Sequence, residues 1–413
     1  MTQPNLLLSA YQCGPGLGSV SQIGWEWYSR LAKQIPVTLL THSRNRDALV
    51  KNGAPLGDSQ IRYIDTEWFA GPLYRLASRL FRSSQHSVFL ISSLDFYLYD
   101  WQALRELRRL RPRPWNLIHA VTPVSPVAAT RLYRLGLPLI VGPWNGGLLS
   151  PTGFPEIMRQ DAAWLYPLRS IGTWIDKFTG CTRHAVRILS ATKATTASLP
   201  ENCQARVRPM LENGVDLDVF QPGVQEPPPL RVIFVGRLVP FKGVSMLLEA
   251  AARAVQEIPL QLTIVGDGPL LGELQNEARA MGELVEFTGN LGLQQVAGRM
   301  RQSHLFCLPS VRESGGAVLL EAMACALPVV AVGYGGPAEI VDNEVGRLLP
   351  TEGREAVVCA LVEVFRDVVA HPETWRSKGL AGRQRAIQQY AWDAKIHHAL
   401  DLYREVLEQG QHA

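Results

Sequence analysis

"HLFCLPSVRESGGAVLLEAMACALPVVAVG", residues 304–333, reads as a strand, a turn, a helix and a second strand. "HLFCLP" (304–309) and "PVVAVG" (328–333) are short unbroken apolar runs, the pattern of strands buried on both faces. Two parallel strands joined by a crossover helix form a βαβ unit. Gly315 and Gly316 turn the chain, and the helix is expected to begin near Ala317. Glu313 and Glu321 flank that turn and the first helical turn. A purely structural helix needs neither carboxylate there.

The same alternation extends in both directions. "NLLLSA" (5–10), "PVTLLT" (36–41), "NLIHAV" (116–121), "LPLIVG" (137–142) and "VRILSA" (186–191) read as buried strands of a first half. "RVIFVG" (231–236), "LQLTIVG" (260–266) and "LVEFTG" (284–289) join the opening pair in a second. Helical patterns separate them, which predicts two doubly wound, Rossmann-like α/β domains. "PMLENGVDLDVFQPGVQEPPPLRVIFVG" (209–236) carries Asn-Gly, Pro-Gly and three prolines before a new strand, which is linker punctuation. The expected division is 1–210 and 211–391, with an amphipathic helix over 392–413 that can cross back to the first domain. Ligands of open α/β sheets bind at the carboxyl ends of strands, so facing domains would place a site in an interdomain cleft.

The chain's 413 residues suit two or three domains of roughly 100–200 residues. Apolar residues make up 46% and charged residues 19%, an ordinary folded composition that excludes disorder. No apolar run reaches the ~18–20 residues of a membrane-spanning helix, and "MTQPNLLLSAYQC" (1–13) lacks the basic start of a secretory signal. Six cysteines, at 13, 181, 203, 307, 325 and 359, show neither CxxC nor Cys/His spacing. They read as reduced thiols of a cytoplasmic protein, with no disulfide frame and no zinc site. Residues 1–210 hold 24 Lys+Arg against 12 Asp+Glu, although the whole chain is only +4. That asymmetry points either to an anionic partner of the first half or to a solvated basic surface.

The loops after the second-half strands carry the chemistry. The helix near Ala317 has unpartnered N–H groups and a dipole that favours an anion. Side chains on a helix lean toward its N-terminus, so Glu321 reaches a group docked there, and Glu313 approaches from the loop. "FVGRLVPFKG" (234–243) adds Arg237 and Lys242 beside Gly236 and Gly243. A guanidinium fork and a compact ammonium both suit phosphate oxygens. Phosphates with hydroxyl-rich rings fit this set, because carboxylates accept from ring hydroxyls while cations and amides take the anion.

These motifs resemble the retaining GT-B glycosyltransferases of glycosyltransferase family 4. The resemblance covers nearly the whole second half: "NGVDLDVF", "FVGRLVPFKG", "VGDGPL", "VEFTGNL", the Glu-x7-Glu stretch, "LPVVA", "GGPAEIV" and "WDAKIHHALDLYREVL". The first half matches more loosely, through "LLSAYQCGPGLGS", "GWEW" and "LPLIVGPWNGG". The resemblance implies that the second domain binds a nucleotide sugar. Arg237 and Lys242 would hold the diphosphate. Glu321 would bind the ribose hydroxyls. Glu313, with backbone groups of Ser314, Gly315, Gly316 and Ala317, would grip the transferred sugar. Val318 and Leu319 would offer N–H groups to phosphate, and the stretch Thr288 to Leu291, with Asn290 and Leu291 as donor contacts, would lie near the base.

The resemblance also implies no cofactor, since the nucleotide sugar is a substrate. Arg237, Lys242 and the helix N-terminus would replace a metal at the leaving group, and no metal is expected at Asp216-Leu217-Asp218, which the family uses structurally. Retention would proceed by front-face attack, the leaving phosphate helping to remove the acceptor proton. UDP is the expected donor nucleotide, with GDP and ADP as alternatives.

In the first half, Gly16, Gly18 and Ser19 belong to the loop after the first strand, which the family places over the diphosphate and acceptor. His119 reads either as a catalytic group or as a packed strand-end histidine; relatives carry a second histidine where this chain has Val121. Asn145 in "GPWNGG" is an expected acceptor contact. Residues 67–115 place Arg75, Arg79 and Arg82 at helical spacing, followed by the arginine-rich "ALRELRRLRPRPW" (103–115). Basic helices with aromatics suit an anionic membrane face, and equally a water-facing surface. The expected partners are therefore a nucleotide-sugar donor and a lipid or glycan acceptor, with an anionic membrane surface through 67–115; nucleic acid is not expected. A soluble disaccharide or small-glycoside synthase, and a non-catalytic ligand-binding protein of the same fold, are the alternatives.

Overall fold

The computed structural model describes residues 3–55, 60–72, 85–110, 112–148, 151–160, 179–223 and 228–410. Among them the chain forms two compact units.

The first unit holds a parallel sheet of seven strands. They are β1 (Leu6–Ala10), β2 (Val37–His42), β3 (Ile61–Ile64), β4 (Leu117–Thr122), β5 (Leu139–Trp144), β6 (Arg187–Ser190) and β7 (Val207–Pro209), in the order β3-β2-β1-β4-β5-β6-β7. Every residue of β1 and β5 is buried, as central strands covered on both faces require. The long helix Gln85–Arg109 turns Phe96, Tyr99, Ala103, Leu104 and Leu107 into the core. It also buries Asp95 completely. Asp95 accepts hydrogen bonds from Tyr11 after β1, from Thr66 after β3 and, at 2.6 Å, from Arg44 after β2. One carboxylate thus pins the helix across the carboxyl edge of three strands, and its three donors offset the cost of burying it.

The second unit holds a parallel sheet of six strands. They are β8 (Leu230–Val235), β9 (Leu260–Val265), β10 (Val285–Gly289), β11 (Leu305–Leu308), β12 (Val329–Val332) and β13 (Gly346–Leu349), in the order β10-β9-β8-β11-β12-β13. Helices Val244–Ala254, Ala317–Ala324 and Arg354–Ala370 supply its largest apolar faces. All ten strands expected from apolar runs form. The unexpected ones are β3, β7 and β13, each at a sheet edge; β3 and β13 mix buried with exposed positions, and β7 has no buried position.

The first unit closes at Glu212 and takes up the end of the C-terminal helix from Ile396. One segment departs from the expected division: residue 148 and residues 151–160 pack in the second unit, not with the first half in which they lie. Among the described residues no helix is long and apolar enough to cross a membrane, and all six cysteines are free thiols.

Candidate functional site

In the second sheet the chain runs from β8 through β9 to β10, then returns to β11 and proceeds through β12 to β13. The neighbours β8 and β11 therefore send their connections to opposite sides, which opens a crevice at their carboxyl ends. Lys242 follows β8 and Glu313 follows β11. Their side chains meet there as an ion pair, 17% and 16% exposed. Lys242 sits in the single turn Pro240–Lys242, closed by its own N–H on the Val239 carbonyl at 3.0 Å. The two loops are tied by the Val311 N–H on the Phe241 carbonyl at 2.9 Å. Arg237 lies exposed on the β8 loop, next to Gly236.

Helix Ala317–Ala324 opens directly behind Glu313. Its N-cap, Gly316, is left-handed at φ 61°, a conformation that glycine adopts without steric cost. Glu313 accepts from the Gly316 N–H at 3.3 Å through the oxygen not bonded to Lys242. Gly315 and Gly316 are buried, Ser314 is exposed, and Ala317 and Val318 are half-buried. Leu319 corrects an expectation. Its N–H already donates to the Gly316 carbonyl at 2.9 Å, because the first turn closes tightly, so it is not an open phosphate donor.

Glu321 lies one turn into this helix and is half-buried. Burial pushes its carboxyl up to about 7 from an ordinary 4.5. A carboxyl set at this depth is costly for folding and useful for a ligand with hydroxyl donors. Asn290 is exposed and Leu291 half-buried just after β10. That loop belongs to the same edge, since the Gly266 N–H after β9 donates to the Gly289 carbonyl at 2.9 Å.

The first sheet has its own switch point, between β1 and β4. The loop after β1 presents Gly16, Gly18 and Ser19 exposed, ahead of helix Ser19–Leu31. Gly16 and Gly18 adopt φ of 78° and 110° with open space around them, so the backbone conformation and not crowding calls for glycine. Asn145 follows β5 and donates to Glu212 at 2.6 Å, while its own carbonyl oxygen has no protein partner. Glu212 is a buried carboxylate that sequence reasoning passed over. Its only signal was an acid set one residue before the Asn-Gly of the linker.

His119 takes the place of a packed core histidine. It is 0% exposed in the middle of β4, edge-on to Trp27. Nε2–H donates to the Gly142 carbonyl at 2.8 Å, which leaves Nδ1 to accept from the Tyr403 hydroxyl at 2.6 Å. Burial holds its pKa down at about 4, so the ring stays neutral with both nitrogens engaged.

In the basic region, Arg75, Arg79 and Arg82 lie outside the described residues. Leu94, Trp101, Arg105, Arg108 and Arg109 are exposed on helix Gln85–Arg109, with Arg105 over the Trp101 ring at 5.6 Å. Arg113 and Trp115 are used inside the fold: Arg113 donates to the Leu135 carbonyl at 2.9 Å, and the buried Trp115 donates to Thr38 at 2.8 Å. Asp216 caps the Asp218 N–H at 2.9 Å. Among the described residues no three His, Cys, Asp or Glu gather as a metal site.

The family model described as "Glycosyl transferases group 1" matches residues 229–367, the span that carries β8 to β13. The alpha-maltose-1-phosphate synthase of Mycobacterium tuberculosis is 34% identical over 269 residues, covering 57% of this chain and 67% of the relative. The GDP-mannose-dependent alpha-(1-6)-phosphatidylinositol monomannoside mannosyltransferase of Mycolicibacterium smegmatis is 30% identical, covering 54% and 61%. The crystal structure of Anabaena Alr3699/HepE in complex with UDP and glucose aligns with TM-score 0.63 at 16% identity, over 97% of this chain and 100% of that one. At that identity the likeness speaks for the fold, the GT-B class of two Rossmann-like domains.

Proposed function

This chain belongs to the group 1 glycosyl transferases, and on that premise we propose that it moves a hexosyl group from a nucleoside-diphosphate sugar, UDP-sugar first, to a hydroxyl of a lipid, glycolipid or lipid-linked glycan. The observation that carries this reading is the meeting of Lys242 and Glu313 at the β8/β11 switch point, directly ahead of the helix that carries Glu321. Donor binding exchanges one set of contacts for another. Lys242 and Arg237 turn to the diphosphate, and Glu313 accepts from sugar hydroxyls. Glu321, as carboxylate, accepts from the ribose.

Transfer breaks the bond from the anomeric carbon to the phosphate oxygen and forms one to the acceptor oxygen. Negative charge builds on the departing diphosphate, and Lys242, Arg237 and the N-terminus of helix Ala317–Ala324 oppose it. In the family-4 reading the incoming hydroxyl approaches from the face the phosphate leaves, its proton passes to that phosphate, and configuration is retained without a metal. The exposed face of Leu94, Trp101, Arg105 and Arg108 supports a protein working at the cytoplasmic face of an anionic membrane. A lipid acceptor also agrees with the phosphatidylinositol mannoside named for one relative. A second reading has a small soluble acceptor, and the relative named a maltose-1-phosphate synthase favours it.

A screen of UDP-, GDP- and ADP-sugars, scored by thermal shift and by nucleotide release, tests the donor half. Release from one donor supports the reading, and silence with all three defeats it. Adding lipid extract or free sugar phosphate then separates the two acceptor classes.

A further inference from the structure

The segment comprising residue 148 and residues 151–160 comes from the first half of the sequence but packs in the second unit. It touches three loops at the carboxyl edge of that sheet. Leu148 lies on Gly335, after β12: a Cβ on Gly335 would fall 2.9 Å from the Leu148 side chain and 2.3 Å from the Glu313 carbonyl oxygen. The next residue, Gly336, donates its N–H to that same carbonyl at 3.0 Å. Gly153 lies on the chain after β13, where a Cβ would meet the Thr351 carbonyl oxygen at 2.1 Å. Phe154 is buried beside it, and helix Pro155–Gln160 lies against the Pro240–Lys242 turn.

One short segment thus lies against the Lys242 turn directly and behind the Glu313 backbone through Gly335 and Gly336. Lys242 sits in a turn of three residues, and Glu313 in a stretch without regular structure. We infer that residue 148 and residues 151–160 form a positioning segment of the diphosphate-sugar site, which fixes the separation of Lys242 and Glu313 through contacts on Gly335 and on the Pro240–Lys242 turn. The inference rests on the donor reading above. It assigns the segment a role in donor recognition, although its place in the sequence suggests the acceptor half.

Leu148→Ala removes the brace on Gly335. Gly153→Ala forces the segment off the Thr351 carbonyl. Wild type and both variants are titrated with UDP, GDP and ADP, and donor KM and kcat are measured with the matching sugar nucleotide. Displacing a positioning contact predicts nucleotide affinity about tenfold weaker and donor KM raised to match, with kcat changed less, and Leu148→Met recovering most of the loss. Unchanged affinity and KM in Leu148→Ala overturns the inference, even if Gly153→Ala fails to fold. Wild type that binds none of the three nucleotides overturns the donor reading itself and this inference with it.

Discussion

Glu321→Gln is expected to stabilise the free protein and weaken nucleotide binding, with both effects set by pH. The Glu321 carboxyl moves from an ordinary 4.5 to about 7 on folding. Between those values the native state keeps a proton that the unfolded chain has released, so stability falls as pH rises from 4.5 to 7 and stays lowered above it. A shift of this size costs the native state up to about 3 kcal/mol at pH 8. Glutamine has the same shape and no charge to desolvate, so it removes that cost. For a domain of about 200 residues each kcal/mol moves the melting temperature by about 2–4 °C. The variant should therefore melt several degrees higher at pH 8 and nearly with the wild type at pH 5. Binding runs the other way. Exchanging a carboxylate acceptor for an amide costs about 1.5–3 kcal/mol per charged hydrogen bond, so UDP affinity drops at least about tenfold at pH 8. Wild-type affinity should decline toward pH 5 as Glu321 protonates, while the variant stays flat. Differential scanning fluorimetry and calorimetric UDP titrations at the two pH values read both quantities. A melting difference that ignores pH would refute the burial argument, and equal UDP affinity at pH 8 would remove Glu321 from the nucleotide site.

On the proposed reading Lys242→Ala and Glu313→Ala should each lower turnover at least about a hundredfold while far-ultraviolet circular dichroism stays native, since neither side chain belongs to the apolar core; near-normal rates in both would undo the site assignment. Asp95→Ala leaves Tyr11, Thr66 and Arg44 without their shared acceptor and should cost about 3–5 kcal/mol in urea denaturation; a cost below 1 kcal/mol would show the network to be idle. Flotation with anionic vesicles at low salt should carry the wild type, and the combined Trp101→Ala, Arg105→Ala and Arg108→Ala variant should float poorly while holding the same melting temperature. Equal flotation would move any membrane contact elsewhere.

The central strands were legible because burial on both faces writes itself as an unbroken apolar run, as in β1, β8 and β12. Three of the four edge strands escaped for the opposite reason: "IRYI" and "GRLL" mix buried with exposed positions, "VRP" has no buried position, and all three sit at the margins of their sheets. Loops after strands could be assigned to one edge from sequence, since parallel order sends every carboxyl end the same way. The sequence could not say that Lys242 and Glu313, 71 positions apart, form an ion pair. That depends on β8 lying beside β11. His119 illustrates the ambiguity of a histidine read at a strand end: it lies inside β4 and bonds to a tyrosine 284 residues away. Leu148 and Gly153 escaped altogether, because nothing local marks a segment as belonging to the other half's fold.

The borrowed segment has a practical consequence for engineering. A hybrid can join the amino-terminal half of one transferase to the carboxyl-terminal half of another by a single cut in the linker. Here a single cut near residue 210 would leave the recipient half with a foreign stretch seated on Gly335 and Thr351, or with none. A graft that also carries native residues 148–160 would keep that surface matched, and comparing the two designs would separate poor acceptor fit from damage done at the junction.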